Sequence, residues 1–336
     1  MRSVSWGIIG VGRIATNAIA PAIQWSANGH LVAVASRNRD TAATKARELG
    51  AIRAYPSYEA ILSDSEVEAV YIGLPNGMHE DWAVRCAHAG KHVLCEKSLT
   101  LTTASARRMA AAFAPRRLRL IDAFMYRHHP QWSLVRSLLD EGAIGKLRNV
   151  QASFCSRCDD PNDHRWSALG GGALWDLTCY GVNAARFVTR SEPLRVSAFA
   201  DSRTPHGVDA TTQASMEMEG GVLAAVTGSL LGKDAHSVVL HGDQGTIEVV
   251  SPFLPAWGPT EIIVKRSFVG ENRRYEVAGA NQYLHQVEHF AALVLDPTRL
   301  PWPAEDGVCN VAACEAIEKS WRSGGTSVAV DPCNAM

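Results

Sequence analysis

Residues 4–15, Val-Ser-Trp-Gly-Ile-Ile-Gly-Val-Gly-Arg-Ile-Ala, contain the pattern that decides the fold. The apolar run Val4–Ile9 is typical of a buried strand, and helical periodicity follows Ala15. The sequence between them is G-x-G-x-x-A, and its strand–turn–helix setting favours dinucleotide binding over a purely structural turn. Gly10 permits the tight turn, Gly12 leaves room for a pyrophosphate, and Ala15 lets the helix pack against the strand. The first N–H groups of the helix then offer hydrogen bonds to the phosphates.

Apolar runs and helical segments continue to alternate as far as the end of the first third of the chain. The predicted strands cover 4–9, 30–35, 68–74, 92–95 and 118–121. Such alternation is typical of a parallel, doubly wound sheet, so we predict an α/β Rossmann domain over residues 1–123. Pro21 is expected to kink or divide the first helix.

Ligands of open parallel sheets bind at the carboxyl ends of the strands. The residues predicted to bind the dinucleotide there are Gly10, Gly12, Arg13, Ile14, Ser36, Arg37, Leu74, Pro75, Asn76, His79, Glu96 and Lys97. The second strand ends in Ser36-Arg37, where an NAD site would carry an acid. A hydroxyl and a guanidinium suit a 2′-phosphate, so NADP(H) is favoured over NAD(H). The alternative is that Arg37 is merely solvated and that Asn38 or Asp40 caps the next helix.

The second half of the chain has a different pattern. From 193 to 277, short alternating segments with turn signals predict an antiparallel sheet, and two helices follow near 282–295 and 305–322. We therefore predict a C-terminal α+β domain with an open, mostly antiparallel sheet over residues 124–330. A glycine run opens a helix in which Asp176 and Tyr180, four residues apart, share a face. Taken alone, Asp176 is better explained as an early-helix charge favoured by the helix dipole, and Tyr180 as a half-buried aromatic ring.

The composition limits the possible partners. The 336 residues include 33 Lys and Arg against 34 Asp and Glu, which argues against nucleic acid and anionic membranes as partners. No apolar run is long enough to span a bilayer, and the N-terminus lacks a signal-peptide layout, so a cytoplasmic protein is expected. The open face of the predicted sheet favours pairing with another copy, as a homodimer or homotetramer.

The cysteines and histidines do not form a metal-binding pattern. Eight cysteines are scattered along the chain, and Cys155 and Cys158 form a lone CxxC without the second pair that a zinc ribbon needs. His285 and His289 share a predicted helix but lack an evident third ligand. We therefore predict reduced structural thiols and no metal.

Together these motifs resemble the glucose–fructose oxidoreductase / inositol dehydrogenase (Gfo/Idh/MocA) family, over nearly the whole chain. The residues that carry the resemblance are 10–12, 75–79, Glu96-Lys97, Arg165, 170–172, Asp176 and Tyr180. The segments 122–130 and 176–180 are most similar to the branch of dimeric dihydrodiol dehydrogenase and NADP-dependent xylose dehydrogenase. In that branch a tyrosine, here Tyr180, stands where inositol dehydrogenases have a histidine.

The resemblance implies hydride transfer between a nicotinamide and a small carbohydrate-like substrate, a sugar or cyclic polyol or ketone. It implies that Lys97 is the catalytic lysine, that Tyr180 donates or accepts the proton, and that Asp176 lies beside it. Arg165 and Tyr283 are implied to lie near the cofactor. Two positions depart from the family: Ser98 replaces the proline of the Glu-Lys-Pro motif, and Asp122 replaces a glutamate.

Two other functions remain open at this level. The same residues would serve a reductase of keto-sugars, including nucleotide-linked ones. A non-catalytic NADP(H)-binding sensor is favoured by Ser98 alone, whereas the retention of Lys97, Asp176 and Tyr180 favours an enzyme.

Overall fold

The structure, a computed structural model, describes residues 2–204, 207–255, 257–266, 272–299 and 304–333. The strands are β1 Val4–Ile9, β2 Gly29–Ala35, β3 Arg53–Tyr55, β4 Ala69–Ile72, β5 His92–Cys95, β6 Leu120–Asp122, β7 Leu147–Cys155, β8 Pro193–Asp201, β9 Thr211–Met218, β10 Leu223–Ser229, β11 Ala235–Gly242, β12 Thr246–Val249, β13 Thr260–Lys265, β14 Asn272–Val277 and β15 Val328–Ala329. The α-helices are α1 Ala20–Trp25, α2 Arg39–Glu48, α3 Tyr58–Leu62, α4 His79–His88, α5 Thr103–Phe113, α6 Pro130–Asp140, α7 Cys179–Thr189, α8 Gln282–Leu295 and α9 Ala304–Arg322.

The chain forms two compact units. The first contains the residues up to Met125 together with Gln282–Val308, and the second contains Tyr126–Asn281 and the residues from Cys309 onward. The predicted boundary at 123/124 lies two residues before the observed division. The return of Gln282–Val308 to the first unit was not predicted, and its cause is packing between distant segments. The Phe290 ring of α8 lies 5.1 Å from the Trp6 ring of β1, in one buried apolar cluster.

The first unit is built on a six-stranded parallel sheet with the order β3-β2-β1-β4-β5-β6. This order places the topological switch point between β1 and β4, where doubly wound sheets bind their ligands. The predicted Rossmann fold class is thus observed.

The helix after β1 is divided close to Pro21, as the sequence predicts. A π-helical segment, Ala15–Ile19, leads directly into α1, and Pro21 is the second residue of α1. Proline has no N–H to donate to the preceding turn, so a regular α-helical ladder cannot run through this position.

The second unit contains a nine-stranded sheet with the order β14-β13-β12-β11-β7-β10-β9-β8-β15. Its pairs are antiparallel except for β7 and β10, which run parallel. Helix α7 packs on β7 and β10. On the opposite face, small polar side chains such as Gln151, Gln213, Ser215 and Ser237 are exposed.

One pair of cysteines contradicts the prediction of reduced thiols. Cys309 and Cys333 form a disulfide, with their Cα atoms 5.2 Å apart, whereas the other six cysteines are free. Because 24 residues separate the two cysteines in sequence, no local spacing pattern indicated the pairing. Within the described ranges, none of the helices combines the length and the apolar character that crossing a bilayer requires.

Candidate active site

The turn after β1 has the geometry expected of a dinucleotide-binding loop. Gly10 has a φ of +87°, and a Cβ atom there would lie 2.5 Å from the carbonyl oxygen of Gly73. Its N–H donates to the carbonyl oxygen of Ala35 at 3.3 Å. A Cβ atom on Gly12 would meet no other protein atom within 4 Å, so this glycine faces open space. The residues present therefore fit a bound pyrophosphate, which needs this close approach to the backbone.

At the end of β2, the structure shows the helix cap that was one of the two interpretations of this segment, and it does not conflict with the other, a 2′-phosphate site at Ser36-Arg37. Asn38 caps α2, since its side chain accepts a hydrogen bond from the Thr41 N–H at 2.9 Å. Ser36 is nearly buried, and its hydroxyl oxygen accepts from the Asn38 N–H at 3.4 Å. Arg37 is exposed and hydrogen-bonds the Tyr58 hydroxyl; burial raises the pKa of Tyr58, and Arg37 partly opposes that shift. The helix cap thus uses the Asn38 side chain, and neither Ser36 nor Arg37 supplies it.

His79 connects the loops that follow β4 and β5. The ring is fully buried, with Nε2 2.7 Å from the carbonyl oxygen of Leu74 and Nδ1 3.0 Å from that of Ser98. Burial lowers the pKa of His79, and the hydrogen bonds to the backbone of Leu74 and Ser98 oppose that shift; a neutral ring can donate to only one of the two carbonyl oxygens at a time. We predicted a cofactor contact, and in the structure both ring nitrogens lie within hydrogen-bond distance of backbone carbonyl oxygens, those of Leu74 and Ser98.

The strand end after β5 holds the Glu96-Lys97 pair. The Tyr71 hydroxyl donates to Glu96 Oε1 at 2.5 Å, and the Lys97 N–H donates to Glu96 Oε2 at 3.2 Å. The peptide bond between Lys97 and Ser98 is cis. Burial and the Glu96 charge raise the pKa of Tyr71 well above its usual range, so Tyr71 remains a hydrogen-bond donor.

Sequence reasoning missed Tyr71. Its signal was a single hydroxyl-bearing residue in the otherwise apolar strand Ala69–Ile72. In the parallel register, Tyr71 pairs with Leu94, two residues before Glu96. A tyrosine at such a position has its hydroxyl within reach of the next strand's carboxyl end.

Tyr283, at the start of α8, lies in the electrostatic environment of the predicted cofactor residues. Burial raises its pKa to about 12, and Glu96 adds to the increase, whereas Lys97 and Arg13 oppose it. The first unit therefore brings Arg13, Glu96, Lys97 and Tyr283 into one neighbourhood. The neighbouring Ile14 is 37% exposed.

Arg165 belongs to the second unit and forms a two-point ion pair with Asp163. The Nε–Oδ1 and Nη2–Oδ2 distances are both 3.0 Å. Burial would raise the pKa of Asp163, but the hydrogen bonds from Arg165 outweigh it and hold this pKa at about 2. The guanidinium also interacts with the Asp176 carboxylate, so Arg165 balances the charge of a predicted site residue.

Asp176 and Tyr180 lie on one continuous helix that changes type between them. Asp176 is in a π-helical segment, Leu174–Thr178, and Tyr180 is the second residue of α7. π-Helical segments are frequent at functional sites. Tyr180 is 5% exposed, and its ring lies 5.2 Å from Phe154, 5.4 Å from Phe253 and 5.9 Å from Tyr126. The tyrosine ring is therefore fixed by aromatic packing.

The chain is similar to proteins of known function over both units. The family described as "Oxidoreductase family, NAD-binding Rossmann fold" matches residues 4–124, and the "GFO/IDH/MocA C-terminal domain" matches residues 132–248. The D-xylose 1-dehydrogenase (NADP(+)) 2 of Haloferax volcanii is 39% identical over 229 residues, which cover 67% of this chain and 69% of that protein. The trans-1,2-dihydrobenzene-1,2-diol dehydrogenase of Sus scrofa is 33% identical over 281 residues, which cover 83% and 81%. A crystal structure of KijD10, a 3-ketoreductase from Actinomadura kijaniata in complex with NADP and TDP-benzene, has a TM-score of 0.89 and 29% identity, covering 95% of this chain and 98% of that chain.

Proposed function

Because the chain belongs to the GFO/IDH/MocA oxidoreductase family, we propose that it transfers a hydride between NADP(H) and a sugar or a cyclic polyol or ketone. The observation that carries the proposal is the Glu96-Lys97 pair at the carboxyl end of β5, held by Tyr71 in the unit that also contains the Gly10–Gly12 turn. The family and fold class predicted from the sequence are confirmed by these comparisons.

The choice of NADP(H) over NAD(H) is supported by the end of β2. A 2′-phosphate needs donors and positive charge, which Ser36 and Arg37 supply, and it is repelled by the acid that NAD-binding sites carry there. The xylose dehydrogenase relative is named for NADP, and the ketoreductase structure contains NADP. Arg13 would add positive charge beside the pyrophosphate, at a helix N-terminus that already favours anions.

Lys97 and Tyr180 are proposed to manage the proton. The nicotinamide, when bound, supplies or accepts the hydride, so the protein must give or take one proton at the substrate oxygen. A free tyrosine has a pKa of about 10, and positive charge near a tyrosine favours tyrosinate. Tyr180 then exchanges the proton with the substrate hydroxyl, while Lys97 stabilises the charge and Asp176 orients the substrate.

A spectrophotometric panel of aldoses, keto-sugars, diols and diketones with NADP(H) and NAD(H) tests the activity. Tyr180→Phe should bind NADPH normally, Lys97→Met should still bind it at saturating concentration, and both should lose at least 100-fold in turnover. Tyr275→Phe in β14 and Lys45→Met in α2 are matched controls, because neither residue is among the predicted site residues, and both variants should keep wild-type turnover. If Tyr180→Phe and Lys97→Met bind NADPH and keep full turnover, the assigned roles are wrong.

Reduction of a keto-sugar is the second candidate. It is favoured by the likeness to KijD10, a 3-ketoreductase whose structure contains a TDP-linked ligand. The same lysine and tyrosine would serve, with the proton moving toward the substrate. Turnover of TDP-linked keto-sugars with NADPH, and none of free sugars with NADP⁺, would favour this direction.

The open face of the nine-stranded sheet is proposed to pair with a second copy, giving a homodimer or, by a further contact, a homotetramer. Its exposed side chains at Gln151, Gln213, Ser215 and Ser237 are polar and uncharged, so two such faces can pack without burying these positions as unpaired charges. Light scattering should show a multiple of 36.3 kDa. Ser215→Lys, in the middle of β9, should dissociate the oligomer, whereas Glu219→Lys in the following turn should leave it intact.

The cytoplasm remains the proposed compartment. Six free thiols are typical of a reducing environment, whereas the Cys309–Cys333 disulfide is typical of an oxidising one. Cell fractionation with acid-quenched thiol labelling tests this. Recovery of the protein from an exported fraction would contradict the assignment.

A further inference from the structure

Asp209 contacts the first turn of the helix that carries Asp176 and Tyr180, although it comes from the connection before β9. It is 4% exposed. Its Oδ2 atom accepts hydrogen bonds from the Leu174 N–H at 2.7 Å and from the Thr212 hydroxyl at 2.5 Å. Its own carbonyl oxygen accepts from the Ala173 N–H at 2.8 Å. Two consecutive N–H groups at the start of the helix thus end on one residue 35 positions away.

A helix normally obtains this cap from the residue just before it. Here the residue before the π-helical segment is Ala173, whose side chain makes no capping hydrogen bond, and it follows Gly172, which has no side chain and a φ of +97°. A Cβ atom on Gly172 would overlap Asp209 Oδ1, so the glycine both makes the turn and admits the carboxylate. The first N–H groups of this helix are therefore capped by Asp209 and not by the residue that precedes the helix.

The carboxylate is fixed on its other side as well. Thr212 is fully buried, and its hydroxyl binds the same oxygen that caps the helix. Burial raises the pKa of Asp209, and the hydrogen bonds from Thr212 and Leu174 oppose that shift. A negative charge at this end of a helix is also favoured by the helix dipole.

We propose that Asp209 is a positioning residue for the reaction: it fixes the start of the π-helical segment and thereby the placement of Tyr180 at the start of α7. It acts through the helix and does not touch cofactor or substrate. The inference rests on the proposed role of Tyr180.

The test compares Asp209→Ala with Asp209→Asn in the full-length protein. Asp209→Ala removes the side-chain part of the cap, which is the acceptor of the Leu174 N–H, so kcat should fall at least tenfold, while KM and the dissociation constant for NADPH stay within twofold. Both side-chain hydrogen bonds end on Oδ2, so the single carbonyl oxygen of asparagine can accept both. Asp209→Asn should therefore restore kcat to within about threefold of wild type. Asp201→Ala, an acid near the end of β8 that pairs with Arg203, is the control and should leave kcat unchanged.

A double-mutant cycle separates this inference from the proposed function. If Tyr180→Phe lowers kcat, adding Asp209→Ala to that variant should lower kcat by less than a further threefold, because the effect of Asp209 passes through Tyr180. The inference is overturned, and the proposed function is left standing, by either of two results. One is a double variant whose loss of kcat equals the product of the two single losses, and the other is an Asp209→Ala variant with wild-type kcat. If Tyr180→Phe has wild-type kcat, the proposed function fails first. Should Asp209→Ala not fold, Thr212→Val replaces it: a drop in kcat with unchanged KM supports the inference, and unchanged kcat refutes it.

Discussion

Gly10 and Gly12 should respond in opposite ways to the same substitution. In Gly10→Ala the new Cβ atom lies 2.5 Å from the Gly73 carbonyl oxygen at a φ of +87°, so the folded state must distort. In Gly12→Ala the new methyl group meets no protein atom within 4 Å, and the backbone is outside the left-handed region. Only the second substitution fills space that the proposed cofactor needs.

The expected magnitudes follow from these two geometries. The left-handed backbone costs about 1–2 kcal/mol for alanine, and overpacking adds about 1–2 kcal/mol, so Gly10→Ala should lose about 2–4 kcal/mol of unfolding free energy. Gly12→Ala should change stability little or gain about 0.4–1 kcal/mol, because alanine restricts the unfolded chain. A methyl group against the pyrophosphate should cost about 1–3 kcal/mol of binding, which weakens NADPH roughly 5- to 150-fold.

Urea denaturation of the ligand-free protein and fluorescence titration with NADPH measure the two effects separately. Gly12→Ala should keep the wild-type denaturation midpoint and lose affinity, whereas Gly10→Ala should lose stability. Wild-type NADPH affinity in Gly12→Ala would refute the placement of the pyrophosphate. Equal destabilisation by the two substitutions would refute the geometric argument itself.

Two further predictions concern residues on neighbouring strands. Burial lowers the pKa of His92 to about 4, and the neutral ring accepts a hydrogen bond from the Arg119 N–H at 2.9 Å. Because the unfolded chain binds a proton at a higher pH than the folded protein, the contribution of neutral His92 to the free energy of unfolding is complete above pH 6.5. About 2–3 kcal/mol of it should be lost as the pH falls toward 4. Urea midpoints at pH 7 and pH 4.5 should therefore differ more in the wild type than in His92→Asn. Tyr71→Phe removes the donor to Glu96 and should lower both stability, by about 1–3 kcal/mol, and kcat. Tyr55→Phe, which loses a comparable bond to Asp64 at 3.0 Å, should lower stability alone; an equal kcat loss in both variants would contradict a specific role for Tyr71.

The local patterns in the sequence were sufficient for five of the six strands of the parallel sheet and for the residues at its carboxyl edge. β1, the Gly10 turn and the strand ends at Ser36 and Glu96 follow from apolar runs bounded by turn residues, because these signals are contained within about ten residues. β3, only three residues long, was missed, since Arg53–Tyr55 has too few positions to show alternation. The packing of α8 against β1 was missed because it joins residues more than 280 positions apart.

The site shows the same division between local and distant information. Motif positions such as Glu96 and Tyr180 could be named from sequence, but their partners could not. Arg165, expected near the cofactor from the resemblance, pairs with Asp163 in the second unit. The disulfide between Cys309 and Cys333 also depends on a spatial approach that no spacing rule indicates.

The residues that hold the motif positions share one property: each acts from a distant part of the chain. Tyr71 reaches Glu96 across 25 positions, His79 reaches the carbonyl of Ser98 across 19, and Asp209 reaches the N–H of Leu174 across 35. All three supporting side chains are buried, so a loss of any one leaves a polar group without its partner in an apolar setting. A chain could therefore keep its glycine turn, its Lys97 and its Tyr180 and still lose the geometry they need. Whether a relative with the same motifs is active should depend on these three supporting positions as much as on the motifs themselves.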